Sequence, residues 1–437
     1  MTELRNIIDK NIPVFQIFPN TGGSPIAFNG GVVELHYYEN ILSESVKMTI
    51  AFVDTGNASD GDDGTGGKIT ASNKIKISRG EKVYIEFEDG LGQKISFKTD
   101  VNALHIAQRD KGSDKLKEFE IIELVSKEFL KNESIRLKKR YDGKISDSVD
   151  KIIKSGDEGF KTPKEIDIEP TKNERSFIAT IKKPFYFVKW LASQSIKEGT
   201  SAVGLLAGYF FFETKSGFKF KSIDGLLEQK YTKKYIYNNT VSDPPPGYTG
   251  KILDVQVIDD KDLKDQLQIG AYNSSVNLFN SQESVFNCSP MDISQQVAVS
   301  SSQAAEYGQN MNKDFIGDPS RFYASLKSVG NLKPVEQSKE LDTIKEDYLS
   351  AASSRYNQIF TVKLSVTIAG DFSLEAGQLI FCDFPEQSSK PNPTYDPRIS
   401  GVYLISALHH YIQPSQHCYT YLELIREASG RKSMKTS

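Results

Sequence analysis

The sequence predicts a mainly β protein of the α+β class, built as two β-barrel domains with helix-containing insertions. Three observations carry this. Residues 360–427 hold short segments of period-two alternation with no helical pattern between them. Residues 1–125 hold a second set of the same kind. The chain carries 25 Phe and 20 Tyr against one Trp, a balance suited to sheet packing.

The first barrel is expected over 1–130. Val32–Tyr38 reads as a strand, and Val46, Met48, Ile50 and Phe52 alternate on one face of the next. Partner strands are predicted at Ile75–Ile77 and Val83–Glu88, followed by an Asp89-Gly90 turn and a return at Lys94–Lys98. A last strand is read at Glu118–Leu124. The acidic, glycine-rich stretch 54–67 interrupts this block as a solvated loop. Counted from Asp60 as an EF-hand loop, its sixth position is Thr65 rather than Gly and its twelfth is not Glu, so calcium is not expected there.

Residues 131–204 read as a helix-containing connecting domain. Val149, Ile152 and Ile153 fall at helical spacing after Ser146 or Asp147 as N-cap. A polar loop covers 154–173. Pro184 opens a second helix with Phe185, Val188, Leu191, Ala192 and Ile196 as its core stripe. The second barrel is expected to be discontinuous, 205–230 plus 356–427. It would start with the hairpin Tyr209–Thr214 and Phe218–Ile223 and end with strands at Phe360–Ile368, Gly401–Ile405 and Cys418–Ile425. Residues 231–355 form an inserted domain, with a turn at Pro244–Gly247, a Ser/Gln/Ala-rich stretch at 296–312 and a helix over Lys339–Tyr356. Residues 428–437 read as a flexible tail.

A chain of 437 residues has room for two to four domains with cores of their own. A net charge of −3, from 54 basic and 57 acidic residues, argues against a protein that coats nucleic acid. Cys288, Cys382 and Cys418 are too few and too scattered for a disulfide framework, and are read as free thiols. The apolar run Ala202–Phe212 is shorter than the roughly 20 residues of a membrane span. The N-terminus carries no signal-like apolar block, so a soluble protein made inside the cell is expected.

The nucleotide-binding and hydrolase signatures fail: there is no GxxxxGK[ST], GxSxG or HExxH. His409 and His410 are neighbours on one strand and must point to opposite faces. His417 is the imidazole nearest in sequence across the turn, with no acid or thiolate set to complete a site. Phe218-Lys219-Phe220-Lys221 and Lys230–Tyr235 mix aromatic and basic residues, and are read as ordinary strands with solvated lysines rather than a single-strand binding surface. No catalytic, cofactor-binding or metal-ligating residue is assigned.

Several stretches together resemble the baseplate hub protein of contractile-tailed, T-even-like bacteriophages. They are Tyr141–Asp147, Lys183–Ala192, Gly208–Asp224, Ala369–Gly377, Ser400–His409 and Tyr419–Arg426, and their order carries the resemblance. It implies two tube-like β-barrels per subunit and a homotrimer forming a pseudo-sixfold ring. The ring would join a central spike protein to the tail tube or tube-initiator proteins and would contact baseplate wedge proteins. It implies no enzymatic activity and no cofactor, a place in the virion after assembly in the host cytoplasm, and a channel that DNA passes without specific binding. A lumen for DNA should avoid positive charge, so at least one hairpin is expected to offer acids or neutral groups to it, and the Tyr84, Glu86, Glu88 face is one candidate. The alternatives are a tail-associated cell-wall hydrolase and the hub of a type VI-like secretion spike. The latter is expected to continue into a repetitive needle, which this sequence does not show.

Overall fold

The computed structural model describes residues 11–54, 59–60, 68–69, 79–111, 117–154, 159–198, 207–237, 243–280, 285–292, 313–316, 318–326, 347–386, 395–396, 399–414 and 416–427. Outside them lie the expected strand at 75–77, most of loop 54–67, the 296–312 stretch, the start of the helix expected from 339, and the tail from 428.

The N-terminal block contains β1 (Asn11–Phe18), β2 (Ile26–Ala27), β3 (Val32–Asn40), β4 (Lys47–Asp54), β5 (Ser59–Asp60), β6 (Lys68–Ile69), β7 (Lys82–Glu88), β8 (Lys94–Lys111) and β9 (Glu118–Ser126). Its main sheet runs β1-β7-β8-β9-β4-β3, antiparallel throughout. Strict alternation buries Val83, Ile85 and Phe87 and leaves Tyr84, Glu86 and Glu88 on the outside. The sheet curls until its ends meet. Phe15 on β1 stands edge-on to Phe52 on β4 at 5.3 Å, and Phe28 lies 4.9 Å from Phe52. Hydrogen bonds from Phe28 N to Phe15 O (2.8 Å) and Phe15 N to Asn29 Oδ1 (2.7 Å) stitch the seam.

A middle unit follows: α1 (Lys127–Ser134), β10 (Arg140–Tyr141), α2 (Ile145–Lys154), β11 (Ile166–Ile168), β12 (Phe177–Ile178), α3 (Pro184–Ala192), β13 (Tyr209–Thr214), β14 (Gly217–Ser222) and α4 (Ile223–Leu227). Both expected helices are present, α3 with Pro184 in its first turn. Ser146 and Asp147 lie inside the first turn of α2 rather than capping it. The hairpin β13–β14 does not belong to the second barrel as expected. It joins β11 in a three-stranded sheet, and Tyr209, Phe211, Phe218 and Phe220 share one core with Val149, Ile152, Phe185 and Val188. The cause is that β13 buries both faces: Phe211 turns to the helices while Phe210 and Phe212 turn to a separate cluster with Leu379 and Leu404 of the second barrel.

The second barrel uses β15 (Lys233–Tyr237), β16 (Gly250–Asp260), β20 (Val362–Ala369), β21 (Leu379–Asp383), β22 (Gly401–Gln413) and β23 (His417–Arg426). These six close on themselves in the order β15-β21-β22-β23-β20-β16. The inserted domain expected over 231–355 is therefore shorter, because β15 and β16 are barrel staves. The insertion follows β16 and carries α5 (Leu263–Gln268), β17 (Asn273–Asn280), β18 (Val285–Asp292), α6 (Lys313–Ile316), β19 (Arg321–Leu326) and α7 (Asp347–Ile359). β16 is hard to read in the sequence because its outer half exposes both faces, which erases the alternation a strand normally shows.

The two barrels repeat one another. Read as β1-β7-β8-β9-β4-β3 and β15-β21-β22-β23-β20-β16, they have the same strand order. Five staves match in direction, and β15 fills the sixth place running opposite to β1. The match extends to detail. Gly80 N donates to Ala103 O (2.7 Å) and Ala103 N to Glu81 O (2.9 Å), while Gly377 N donates to Ile405 O (2.8 Å) and Ile405 N to Gln378 O (2.9 Å). The next residue is bulged in both, between Ala103 and His105 and between Ile405 and Ala407.

Candidate functional site

The junction between the barrels is where the chain concentrates its unusual chemistry. β22 is 13 residues long and changes partner along one edge. Its start, Gly401–Leu404, pairs with β21; past the bulge, Ala407–Ile412 pairs with β3 of the first barrel. The two barrels are thus joined stave to stave, and a single hydrophobic core runs from Phe15 and Phe52 to Leu364 and Leu424. Edge pairing of this sort uses backbone groups that an edge strand would otherwise expose.

Alternation along β3 sends Leu35, Tyr37 and Glu39 inward and Glu34, His36 and Tyr38 outward. On the inner side, the Glu39 carboxylate is buried and accepts from Tyr37 Oη (2.6 Å), Lys215 N (2.7 Å) and Ala376 N (2.8 Å). It therefore ties the first barrel, the tip of the β13–β14 hairpin and the second barrel at one point. Burial pushes its acidity to about 7; hydrogen bonds from Tyr37 and the two backbone amides oppose the rise, and Glu375 nearby adds to it. Glu375 is held ionised by Lys219 at 2.6 Å. Another tie is Phe372 N donating to Asp89 Oδ2 (3.1 Å).

His409 and His410 do point to opposite faces. His410 is buried against Phe372 and stacked on Tyr37, with Thr420 Oγ1 2.8 Å from its Nδ1. His409 lies outside, between Tyr38 (4.4 Å) and Tyr421 (5.2 Å). Its imidazole neighbour is His36, with Nδ1 to Nε2 of 2.9 Å. It is not His417, which pairs with Gln413 at the far end of the hairpin. Sequence reasoning missed His36, because only the β3–β22 register brings it there. Burial, and then the neighbouring His36, lower the His409 pKa to about 4. Among the described residues, no group of three or more His, Cys, Asp and Glu side chains is arranged to hold a metal ion.

The basic-aromatic segments are committed to structure. Lys219 pairs with Glu375 and Lys221 with Asp167, both at 2.6 Å. Lys233 reaches Asp371 at 2.6 Å, and Lys234 reaches Asp383 at 3.1 Å. A cleft of about 430 Å³ between the middle unit and the second barrel includes Asp167, Glu169 and Glu228 in its lining. Each of these acids is occupied: Asp167 by Lys221, Glu228 by Lys197, and Glu169 by Ser222 N and Oγ. Tyr84, Glu86 and Glu88 share the outer face of β7 as expected, with Lys94 bridging the two acids at 3.3 and 3.2 Å. Cys382 and Cys418 are buried and not joined in a disulfide.

No protein-family model and no curated protein sequence matches the chain. Solved structures do. The 43 kDa tail protein of prophage MuSo2 from Shewanella oneidensis superposes with a TM-score of 0.50 at 7% identity, over 96% of this chain and 98% of that one. The tail protein from Neisseria meningitidis MC58 gives 0.49 at 9% identity, over 95% and 96%. The E. coli c3393 protein, described as a type VI secretion component with structural similarity to the T4 tail proteins gp27 and gp5, gives 0.43 at 9% identity, over 97% and 79%. The likeness is one of fold, and with the prophage tail protein it extends over nearly the whole of both chains.

Proposed function

We propose that this chain is a structural hub of a contractile phage tail baseplate. Three copies close into a pseudo-sixfold ring that joins a threefold central spike to a sixfold tail tube and leaves a bore for DNA. The observation that supports this best is the repeat: two barrels of one strand order, joined stave to stave within a single chain, give six barrels from three chains. A ring so built meets sixfold symmetry on one side and threefold symmetry on the other. The likeness in fold to a prophage tail protein favours the same reading. The chemistry of the junction also fits a structural role, since Glu39, Glu375 and Lys219 spend their polar groups on contacts that hold the barrels and the β13–β14 hairpin together. Obligate contacts of this kind bury on the order of 2,000 Å² or more. Native mass measurement of the purified protein, alone and with spike protein added, tests it. A trimer of 48.8 kDa chains is expected, and a monomer under all conditions would overturn the reading. The outer face carrying Tyr84, Glu86 and Glu88 is proposed to border the bore; a basic inner surface in the assembled ring would count against that.

A further inference from the structure

We infer that β16 of one copy adds to β8 of the next, in the register the chain already uses internally between β3 and β22. This rests on the ring reading and specifies the contact that builds it. In the repeat, β3 corresponds to β16 and β22 to β8. β22 is paired by β21 up to its bulge and by β3 beyond it. β8 is paired by β7 only as far as Asn102, just before its own bulge; among the described residues, no strand takes that edge from there to Lys111. Among the described residues, the place that β3 fills on β22 is taken by no strand on β8.

β16 shows the complementary want. β15 pairs with it only over Gly250–Ile252, and among the described residues no strand lies along that edge from Leu253 onward. Leu253, Val257 and Ile258 are 39%, 54% and 47% exposed. Val257 stands opposite Leu364, a buried core residue. In the first barrel the corresponding residue is Tyr37, opposite Met48, and it is fully buried with β22 alongside. The same inward position is closed where a neighbouring stave is present and open where it is absent.

Because β16 and β8 are different surfaces, the contact is heterologous, and such contacts make rings when the rotation closes. Three copies would then alternate three internal β3–β22 junctions with three β16–β8 junctions of the same form. Transferring the internal register, Tyr37 opposite His410 places Val257 opposite Arg109 of the next copy, and Leu35 opposite Ile412 places Val255 opposite Lys111.

Oxidative cross-linking of the full chain tests this. The Val257→Cys, Arg109→Cys double variant should give covalent species of up to three chains on a non-reducing gel, lost on reduction. Each single variant, and the mismatched pair Val255→Cys, His105→Cys, should stay single-chain. If the wild-type protein is trimeric and the double variant has wild-type circular dichroism yet does not cross-link, the strand junction is wrong while the ring stands. If the wild-type protein is monomeric at every concentration and with spike protein present, the ring reading itself fails and the junction goes with it.

Discussion

Gly80 and Gly377 hold the same backbone angle, φ +84° and +85°, at the same step of two successive barrels. Each enters the stave that follows it, and each donates to the residue just before a bulge in the long strand alongside. Their surroundings differ. A Cβ on Gly80 would meet nothing within 4 Å, while one on Gly377 would come 2.8 Å from Cζ of Phe212 in the buried hairpin.

Gly80→Ala should therefore cost only the left-handed strain, about 1–2 kcal/mol. Gly377→Ala should cost the same strain plus overpacking of roughly 1–3 kcal/mol. Urea denaturation of both variants checks this, and an equal loss at the two sites would mean that the Phe212 contact yields freely.

Much of this architecture was legible in the sequence because alternation survives where one strand face is wet. Val46, Met48, Ile50 and Phe52 announce β4, and Val362 to Ile368 announce β20. β13 was legible as a strand but not as to its place, since Tyr209 to Thr214 are buried on both sides and say nothing about which neighbour owns them. β16 failed for the opposite reason, exposure on both faces. The repeat itself leaves little trace in sequence. Glu123-Leu124 and Glu423-Leu424 occupy matching positions, as do Gly80 and Gly377, but the staves around them need only be apolar at alternate places. The His36–His409 contact has no local signal at all, being set by a register between residues 373 positions apart.

Glu39 should make stability fall as pH rises. Its folded pKa of about 7 lies above the ordinary 4.5, so in that window the folded state keeps a proton that the unfolded state has lost. Stability from this group is full below about pH 4.5, declines through pH 7 and is level above. Glu39→Gln should remove that decline. Thermal midpoints measured from pH 4.5 to 8 should converge on or favour the variant toward the alkaline end; parallel profiles would show that Glu39 does not titrate there.

His409 works in the other direction. Its pKa is lowered to about 4 from 6.5, so the unfolded chain takes up a proton first as pH drops, and stability is lost between those two values. His409→Phe should keep the stacking on Tyr38 and Tyr421 while flattening this acid limb. Imidazole proton shifts followed by NMR give an independent check, and a midpoint near 6.5 for His409 would contradict the burial seen here.

Lys164 offers the sharpest contrast between a buried and an exposed ion pair. Its ammonium lies 2.7 Å from Glu128 on α1 and 2.6 Å from Glu213 on β13, with both acids 1% exposed. Glu213 also accepts from Val46 N at 3.1 Å, so this one cation holds the first barrel, its following helix and the hairpin together. Removing a single member of such a set leaves uncompensated buried charge and costs about 3–5 kcal/mol, although replacing the whole set by uncharged groups can be close to neutral. Lys164→Met should therefore destabilise by that amount, and the triple change with Glu128→Gln and Glu213→Gln should recover most of the loss. Lys154→Met, which removes a pair with Asp150 whose side chains are 55% and 42% exposed, should shift stability by no more than about 0.5 kcal/mol. Chemical denaturation of the three variants decides the matter, because a Lys164→Met loss no larger than that of Lys154→Met would mean water reaches the Glu128–Glu213 site and the domain junction is looser than its geometry implies.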